Sequence, residues 1–424
     1  MSPIPTALLP DTAGVSTSGT LTIGGVDTID LAAEYGTPLF VYDEAHLRAR
    51  CREAVAAFGD GAVYATKAFL CTAMAQLAHA EGMRLDVATG GEFSVARAAG
   101  VPAETLVFHG NNKSEAELRL ALDAQVGRLV VDSLDEIDRI EMLVSEGLET
   151  PDVLIRITPG VEAHTHEFVS TGQDDSKFGF TVSTGAAADA VARAEASAAM
   201  TLRGVHSHIG SQVFRGESYA EAMKVITDFT GPDRFEEVSI GGGLGVAYVE
   251  GEEAPTITEW AEIIREAADE RGLQSRISAE PGRAITALAA VTLYTAGTIK
   301  TIPGTRTYVA VDGGMSDNPR PVLYGSGYET FLPRAVEASR TKEIRLVGKH
   351  CETGDVLVSD GRLPEGAKVG DIVATPVTGA YGHSMGSNYN KVLRPAVVFV
   401  ANGAARPVVR RETYDDLLIT DLGP

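Results

Sequence analysis

Between residues 60 and 284 the chain repeats one unit: a short apolar run, a loop, then an amphipathic segment. The apolar runs fall at 62–68, 84–88, 105–109, 128–132, 152–157, 202–208, 237–240 and 276–279. Runs of this length bounded by loops predict strands. The segments 72–81, 91–99, 115–124, 134–146, 218–230 and 258–272 place apolar residues on one face and predict helices. Short strands alternating with helices imply a parallel sheet. Eight such repeats fit a closed (β/α)₈ barrel, with a doubly wound open sheet as the alternative.

After residue 285 the rhythm changes. The runs 291–300, 307–312, 343–348, 372–377 and 397–401 are rich in Val, Ile and Thr with turn residues between them, which predicts an antiparallel β domain of barrel or sandwich type. Residues 20–29 and 39–43 also read as strands. The expected organisation is a disordered N-terminus over 1–19, a barrel over 36–284, and a β domain built from 20–35 and 285–424. The leading segment is rich in Pro, Thr and Ser and lacks a basic stretch followed by an apolar run, so it does not resemble a signal peptide.

Composition narrows the function. The chain has 424 residues, 44% hydrophobic and 22% charged, with a net charge of −22. That length accommodates two cores. The negative charge disfavours nucleic-acid and anionic-membrane partners. No apolar run reaches membrane-spanning length. The three cysteines, Cys51, Cys71 and Cys351, form no metal-type pairs and suit a reducing cytoplasm.

In a barrel, chemistry gathers where the strands end. The predicted strands end at Lys67, Asp86, His109, Asp132, Arg156, His208, the run Gly241-Gly242-Gly243, and Glu280. A lysine held rigid and partly desolvated at a strand end can act as a neutral amine and form a Schiff base; alone, such a lysine reads more readily as a surface cap, because Lys is mostly exposed. The seventh strand opens into Gly241-Gly242-Gly243-Leu244-Gly245, a turn that suits a phosphate and equally a plain tight turn. The eighth gives Glu280-Pro281-Gly282-Arg283, whose arginine can meet a phosphate or carboxylate. His206 and His208 lie at period two on one predicted strand face, but no third ligand follows at metal-type spacing, so no metal is expected. An imidazole stacked on an aromatic cofactor is the better use for His208.

Lysine, phosphate turn, carboxylate and imidazole together describe a site for pyridoxal 5′-phosphate. Here the chain resembles the diaminopimelate decarboxylases, of the alanine-racemase-like, fold-III group of pyridoxal-phosphate enzymes. The resemblance rests on Tyr64-Ala65-Thr66-Lys67-Ala68, Asp175-Ser176-Lys177-Phe178-Gly179, His208-Ile209-Gly210-Ser211-Gln212, Glu280-Pro281-Gly282-Arg283, Cys351-Glu352-Thr353-Gly354-Asp355, Gly379-Ala380-Tyr381 and Ser387-Asn388-Tyr389-Asn390. These motifs run in family order from about residue 20 to 400. Thr353 and Gly386 depart from the family's usual serine and alanine.

The resemblance implies roles. Lys67 forms the Schiff base and His208 stacks on the cofactor ring. Asp86, Ser211, Gly243, Glu280, Gly282, Arg283 and Tyr381 bind the cofactor, with Glu280 keeping its ring nitrogen protonated. Cys351 reprotonates the product carbanion from the second subunit of a homodimer, a role suited to a thiol that is mostly protonated at neutral pH. Arg283, Arg320 and Tyr324 grip the distal carboxylate of the substrate, Glu352 its distal ammonium, and Tyr381 also contacts it. The implied reaction is decarboxylation of meso-2,6-diaminopimelate to L-lysine and CO₂, the last step of lysine biosynthesis. A decarboxylase of simple diamino acids has no use for arginines at a distal carboxylate. The alternatives are a related decarboxylase of another D-amino or diamino acid, a racemase, and a non-catalytic regulator. A racemase of this group places an arginine at the ring nitrogen, where this chain has Glu280, and a regulator would be expected to lose Lys67 or Cys351.

Overall fold

The computed structural model describes residues 2–161 and 175–423; the part of the expected barrel range at 162–174 lies outside them. The chain divides into two compact units. One comprises Met1–Ala49, Ala247–Glu253 and Ile285–Pro424, the other Arg50–Val246 and Ala254–Ala284.

The second unit is the barrel. Its strands are β1 (Val63–Ala65), β2 (Arg84–Val87), β3 (Leu106–Phe108), β4 (Arg128–Val131), β5 (Asp152–Thr158), β6 (Thr201–His206), β7 (Glu237–Ser239) and β8 (Arg276–Ser278). Each pairs in parallel with the next. The Ala62–Ala279 bridge closes the ring between β1 and β8, so the open-sheet alternative is excluded. The strands sit at the expected runs because most of their residues are buried, as a strand packed inside and outside requires. Val63, Val107, Val130 and Leu154 form one buried cluster from four of them.

Helices follow at the amphipathic segments. Ser114 and Thr256 close capping boxes on Glu115–Asp123 and Ile257–Asp269, satisfying N–H groups that the first turn leaves unpaired. At the N-terminal ends of the strands, buried Glu237 is ringed by Arg128 (3.1 Å), Arg276 and the Ser278 hydroxyl (2.9 Å). Burial acts to raise this carboxyl, but Arg276 and Arg128 bring it below its ordinary value. A buried charge is tolerated only when compensated in this way.

The other unit holds a sheet in the order 356–363, 342–347, 306–311, 290–302, 39–43, 396–401, 404–409, with 372–376 also on 290–302. Two of its pairings are parallel, 306–311 with 342–347 and 39–43 with 396–401, which amends the expectation of a purely antiparallel domain. Leu39–Asp43, counted in the barrel range, instead pairs with Ala290–Ile302 and Ala396–Ala401; all five of its residues are buried. Residues 20–29 make two short strands turning at Gly24 and Gly25, in a separate three-stranded sheet with Gly14–Val15.

The N-terminal segment is not disordered as expected. Ile4, Leu8 and Leu9 are buried, and Asp43 accepts hydrogen bonds from the Thr12 backbone (3.0 Å) and hydroxyl (2.7 Å). Three apolar anchors and a side-chain clamp order a segment whose composition alone suggests a loose tail.

Candidate active site

Within the barrel unit the C-terminal strand ends converge on one buried cluster. Glu280, just after β8, is 7% exposed, and one of its carboxylate oxygens lies 3.3 Å from His109 Nε2. Its other oxygen lies 3.1 Å from His206 Nε2, and Ser239 donates a hydrogen bond of 3.1 Å. Asp86, at β2, lies 3.7 Å from His109.

Burial acts to raise Glu280, but His206 and His109 hold it well below the usual carboxylate range. Burial lowers His206 to about 4, so His109 holds its positive charge to higher pH than His206 does. Burial opposes that charge as well, yet Asp86 and Glu280 bring His109 above its ordinary value. Asp86 is raised, chiefly by burial. The cluster thus presents one firmly ionised carboxylate, braced from two sides.

The His109 and His206 rings meet edge to face at 4.8 Å. His206 and His208 do not share a face as their spacing suggests. Strand β6 ends at His206, and His208 turns to accept a hydrogen bond from Gly242 N–H at Nδ1 (3.2 Å). Burial, then the Lys67 and Arg156 charges, hold the His208 imidazole well below its ordinary value, hence neutral. His109, His206 and Glu280 offer three ligand atoms within 4.8 Å of one another, but both imidazoles face the carboxylate itself.

Lys67 sits in the turn Thr66–Ala68 that follows β1. Thr66 and Ala68 are buried, whereas Lys67 is exposed, so the expected partial desolvation is not present. A flexible four-carbon stem carries the ammonium out of the wall that fixes its backbone. Its charge acts on Asp86, Glu92 and His208.

The glycine run is fixed by backbone packing. A Cβ on Gly241 would come within 2.5 Å of the Ser207 carbonyl oxygen, on Gly242 within 2.2 Å of Glu280's, and on Gly243 within 2.0 Å of Gly210's. Gly241 and Gly243 also take positive φ, +67° and +105°. Arg283 donates to the Ser211 hydroxyl (2.8 Å) across the loops that follow β8 and β6. Gly282 packs where a Cβ would lie 2.8 Å from the Ala65 carbonyl oxygen of β1.

The strand-end residues Asp132 and Arg156 anchor the Asp175–Gly179 motif. Gly179 N–H donates to Asp132 (2.7 Å), and the Arg156 guanidinium lies 4.3 Å over the Phe178 ring. Lys113, 1% exposed, pairs with buried Glu136 (2.8 Å) and donates to the Gly110 and Val130 carbonyls (both 2.7 Å). Two hydrogen bonds and a buried ion pair hold the ammonium, which locks the loop carrying His109. The sequence pattern places His109, Asp132 and Arg156 at strand ends but assigns them no part in the site.

The donor set fits pyridoxal phosphate. Ser211, Arg283 and the backbone N–H of Gly243, at positive φ, suit a dianion, the N–H groups of Gly241 and Gly242 being donated to Ser239 and His208; ionised Glu280 suits a protonated ring nitrogen; a neutral imidazole suits a π-face.

The other unit carries the remaining candidates. Arg320 is 3% exposed, with its guanidinium 4.1 Å over the Tyr248 ring and a 2.6 Å hydrogen bond to the Tyr328 hydroxyl. Among the described residues no carboxylate pairs with it. Tyr324 and Tyr381 are half-buried, and Tyr381 has φ +59°. Cys351 and Glu352 are exposed on a turn after Lys342–Val347. Tyr248 and Tyr328 escape a reading of the sequence alone; two separated aromatics carry no local pattern.

A closed barrel with this donor set at its strand ends belongs to the pyridoxal-phosphate enzymes of the barrel class. The family model for the pyridoxal binding domain of pyridoxal-dependent decarboxylases matches residues 44–287. A Bacillus subtilis diaminopimelate decarboxylase is 47% identical over 95% of both chains, and one from Mycobacterium bovis 47% identical over 94% of both. The crystal structure of diaminopimelate decarboxylase from M. jannaschii superposes with a TM-score of 0.90 at 32% identity, covering 98% of each chain; it is also known in complex with L-lysine. The chain belongs to the diaminopimelate decarboxylase family.

Proposed function

We propose that the protein releases CO₂ from the D-configured centre of meso-2,6-diaminopimelate to give L-lysine, using pyridoxal phosphate, as the last step of lysine biosynthesis. The bound cofactor supplies an electron sink for the pair left behind when CO₂ departs. Lys67 tethers the cofactor aldehyde through its amine. His208, held neutral, covers one ring face. Ser211, Gly243, Gly282 and Arg283 hold the phosphate end, and Tyr381 contacts the cofactor and substrate. Glu280 keeps the ring nitrogen protonated, with His109 and Asp86 sustaining the local charge balance. Cys351 delivers a proton to the α-carbon and regains one from solvent. Glu352 takes the distal ammonium, while Arg283, Arg320 and Tyr324 take the distal carboxylate. Cys351 and Glu352 serve the barrel of a second copy, making the working unit a cytoplasmic homodimer. Among the described residues no helix is long and apolar enough to cross a membrane.

The observation that carries the substrate is Arg320. Burial opposes the charge of this guanidinium, the surrounding tyrosines sustain it, and without a carboxylate of its own among the described residues it is open to an anion. An amine-ended substrate brings none. Arg320→Met keeps the volume and removes the charge; kcat/KM for meso-diaminopimelate should fall roughly 100-fold, the scale of losing one partner of a buried ion pair. An unchanged kcat/KM would reject a distal carboxylate at Arg320.

A further inference from the structure

The motif Ser387-Asn388-Tyr389-Asn390 has no role in the reaction as set out above. Its contacts assign one. The Tyr389 hydroxyl donates to the Glu352 carboxylate at 2.8 Å, and its ring packs on His350 at 5.3 Å between centroids. The next residue, Asn390, accepts a hydrogen bond from the Cys351 backbone N–H through its side-chain oxygen, at 3.1 Å. Two consecutive residues of one turn therefore hold two consecutive residues of another.

The rest of the geometry shows why such a hold is needed. The base of the 350–355 turn is fixed by Asp355, which is 3% exposed and accepts from the N–H groups of His350 (2.8 Å) and Met315 (2.7 Å). His350 adds a 2.9 Å hydrogen bond to Ser316. Residues 351–354 are all exposed beyond that base. Apart from short bonds within the turn, the anchors of Cys351 and Glu352 among the described residues are Asn390 and Tyr389. Asn390 adopts φ +50° and ψ +24°, a left-handed conformation that asparagine tolerates better than most residues. The Glu352 carboxylate raises the Tyr389 phenol, so the hydroxyl stays a donor throughout the working pH range.

We propose that Tyr389 and Asn390 are positioning residues for the reaction: Tyr389 orients the Glu352 carboxylate toward the distal ammonium of the substrate, and Asn390 fixes the backbone from which Cys351 presents its thiol. This inference rests on the reading above that Glu352 binds that ammonium and Cys351 delivers the proton.

Tyr389→Phe keeps the ring on His350 and removes only the hydroxyl. KM for meso-diaminopimelate should rise roughly three- to tenfold with kcat nearly unchanged, the signature of lost uniform binding from an exposed bond to a charged group. Added to Glu352→Gln, it should cost little more, since both remove one interaction. Asn390→Gly keeps the left-handed backbone and removes the acceptor; kcat should fall roughly three- to tenfold through misplacement of the donor, and Asn390→Asp should restore it. If Glu352→Gln raises KM while Tyr389→Phe does not, or if the two add fully, the role of Tyr389 is overturned and the reading of Glu352 stands. If Glu352→Gln leaves KM unchanged, that reading fails first and takes the role of Tyr389 with it. If Cys351→Ala lowers kcat and Asn390→Gly does not, or if Asn390→Asp fails to rescue, the role of Asn390 is overturned alone.

Discussion

His109 places its Nε2 3.3 Å from Glu280, and of the two imidazoles beside that carboxylate it is the one whose pKa is raised, while burial lowers His206 to about 4. Together with His206, His109 holds a carboxylate 7% exposed well below the usual carboxylate range. Its consequence can be read from stability. His109 has a folded-state pKa above its ordinary value, with Asp86 and Glu280 outweighing burial. The stabilisation is therefore complete below the unfolded value near ~6.5 and is lost as pH rises through the folded value. His109→Gln should cost about 1–3 kcal/mol in mildly acidic buffer, moderated by the bonds that Glu280 keeps to His206 and Ser239. The gap in Tm between wild type and variant should narrow as pH rises. A gap that widens with pH contradicts the pairing.

Asp317 gives a second test of the same sign, with burial rather than a charged partner as the cause. It is 1% exposed, accepts from the Tyr294 hydroxyl and from Gly314 N–H (both 2.8 Å), and burial pushes it up to about 7. The unfolded chain ionises this group near ~4, whereas the folded chain keeps its proton up to about 7. Stability is thus lost as pH climbs between those values. Asp317→Asn should flatten that slope in thermal melts taken from pH 4 to 7. Parallel Tm curves for the two proteins contradict the assignment.

Lys67→Ala should abolish the absorbance of the lysine-tethered cofactor together with activity. Activity above a trace in the variant means another amine forms the tether.

Cys351→Ala should reduce turnover steeply while bound cofactor is retained, measured by absorbance after gel filtration. Loss of cofactor instead points to a structural role. Because Cys351 is proposed to serve a second copy, sedimentation should find at least a dimer under assay conditions, and an active monomer contradicts the shared arrangement.

The barrel is legible because short strand-like runs recur between amphipathic segments and each run ends in a chemically distinctive residue. Lys67, Asp86, His208 and Glu280 can be picked out on those grounds. What the sequence hides is physical in each case. Strand direction leaves no trace in side-chain alternation, so the parallel pairing of Leu39–Asp43 with Ala396–Ala401 could not be foreseen. The order of the N-terminal segment depends on the burial of Ile4, Leu8 and Leu9, which composition alone does not reveal. His206 and His208 look equivalent until the strand ends between them, sending one to Glu280 and the other to Gly242. Arg320 is visible as a cation, but its tyrosine walls come from positions 248 and 328 and require the fold.

The most direct test is to incubate the purified protein and pyridoxal phosphate separately with meso-diaminopimelate, D-lysine, D-ornithine and L-ornithine, measuring CO₂ and the amine product. Preferential turnover of meso-diaminopimelate with L-lysine as product is expected. Preferential turnover of a mono-carboxylate would contradict it, and would mean that Arg283 and Arg320 do something other than hold a distal carboxylate.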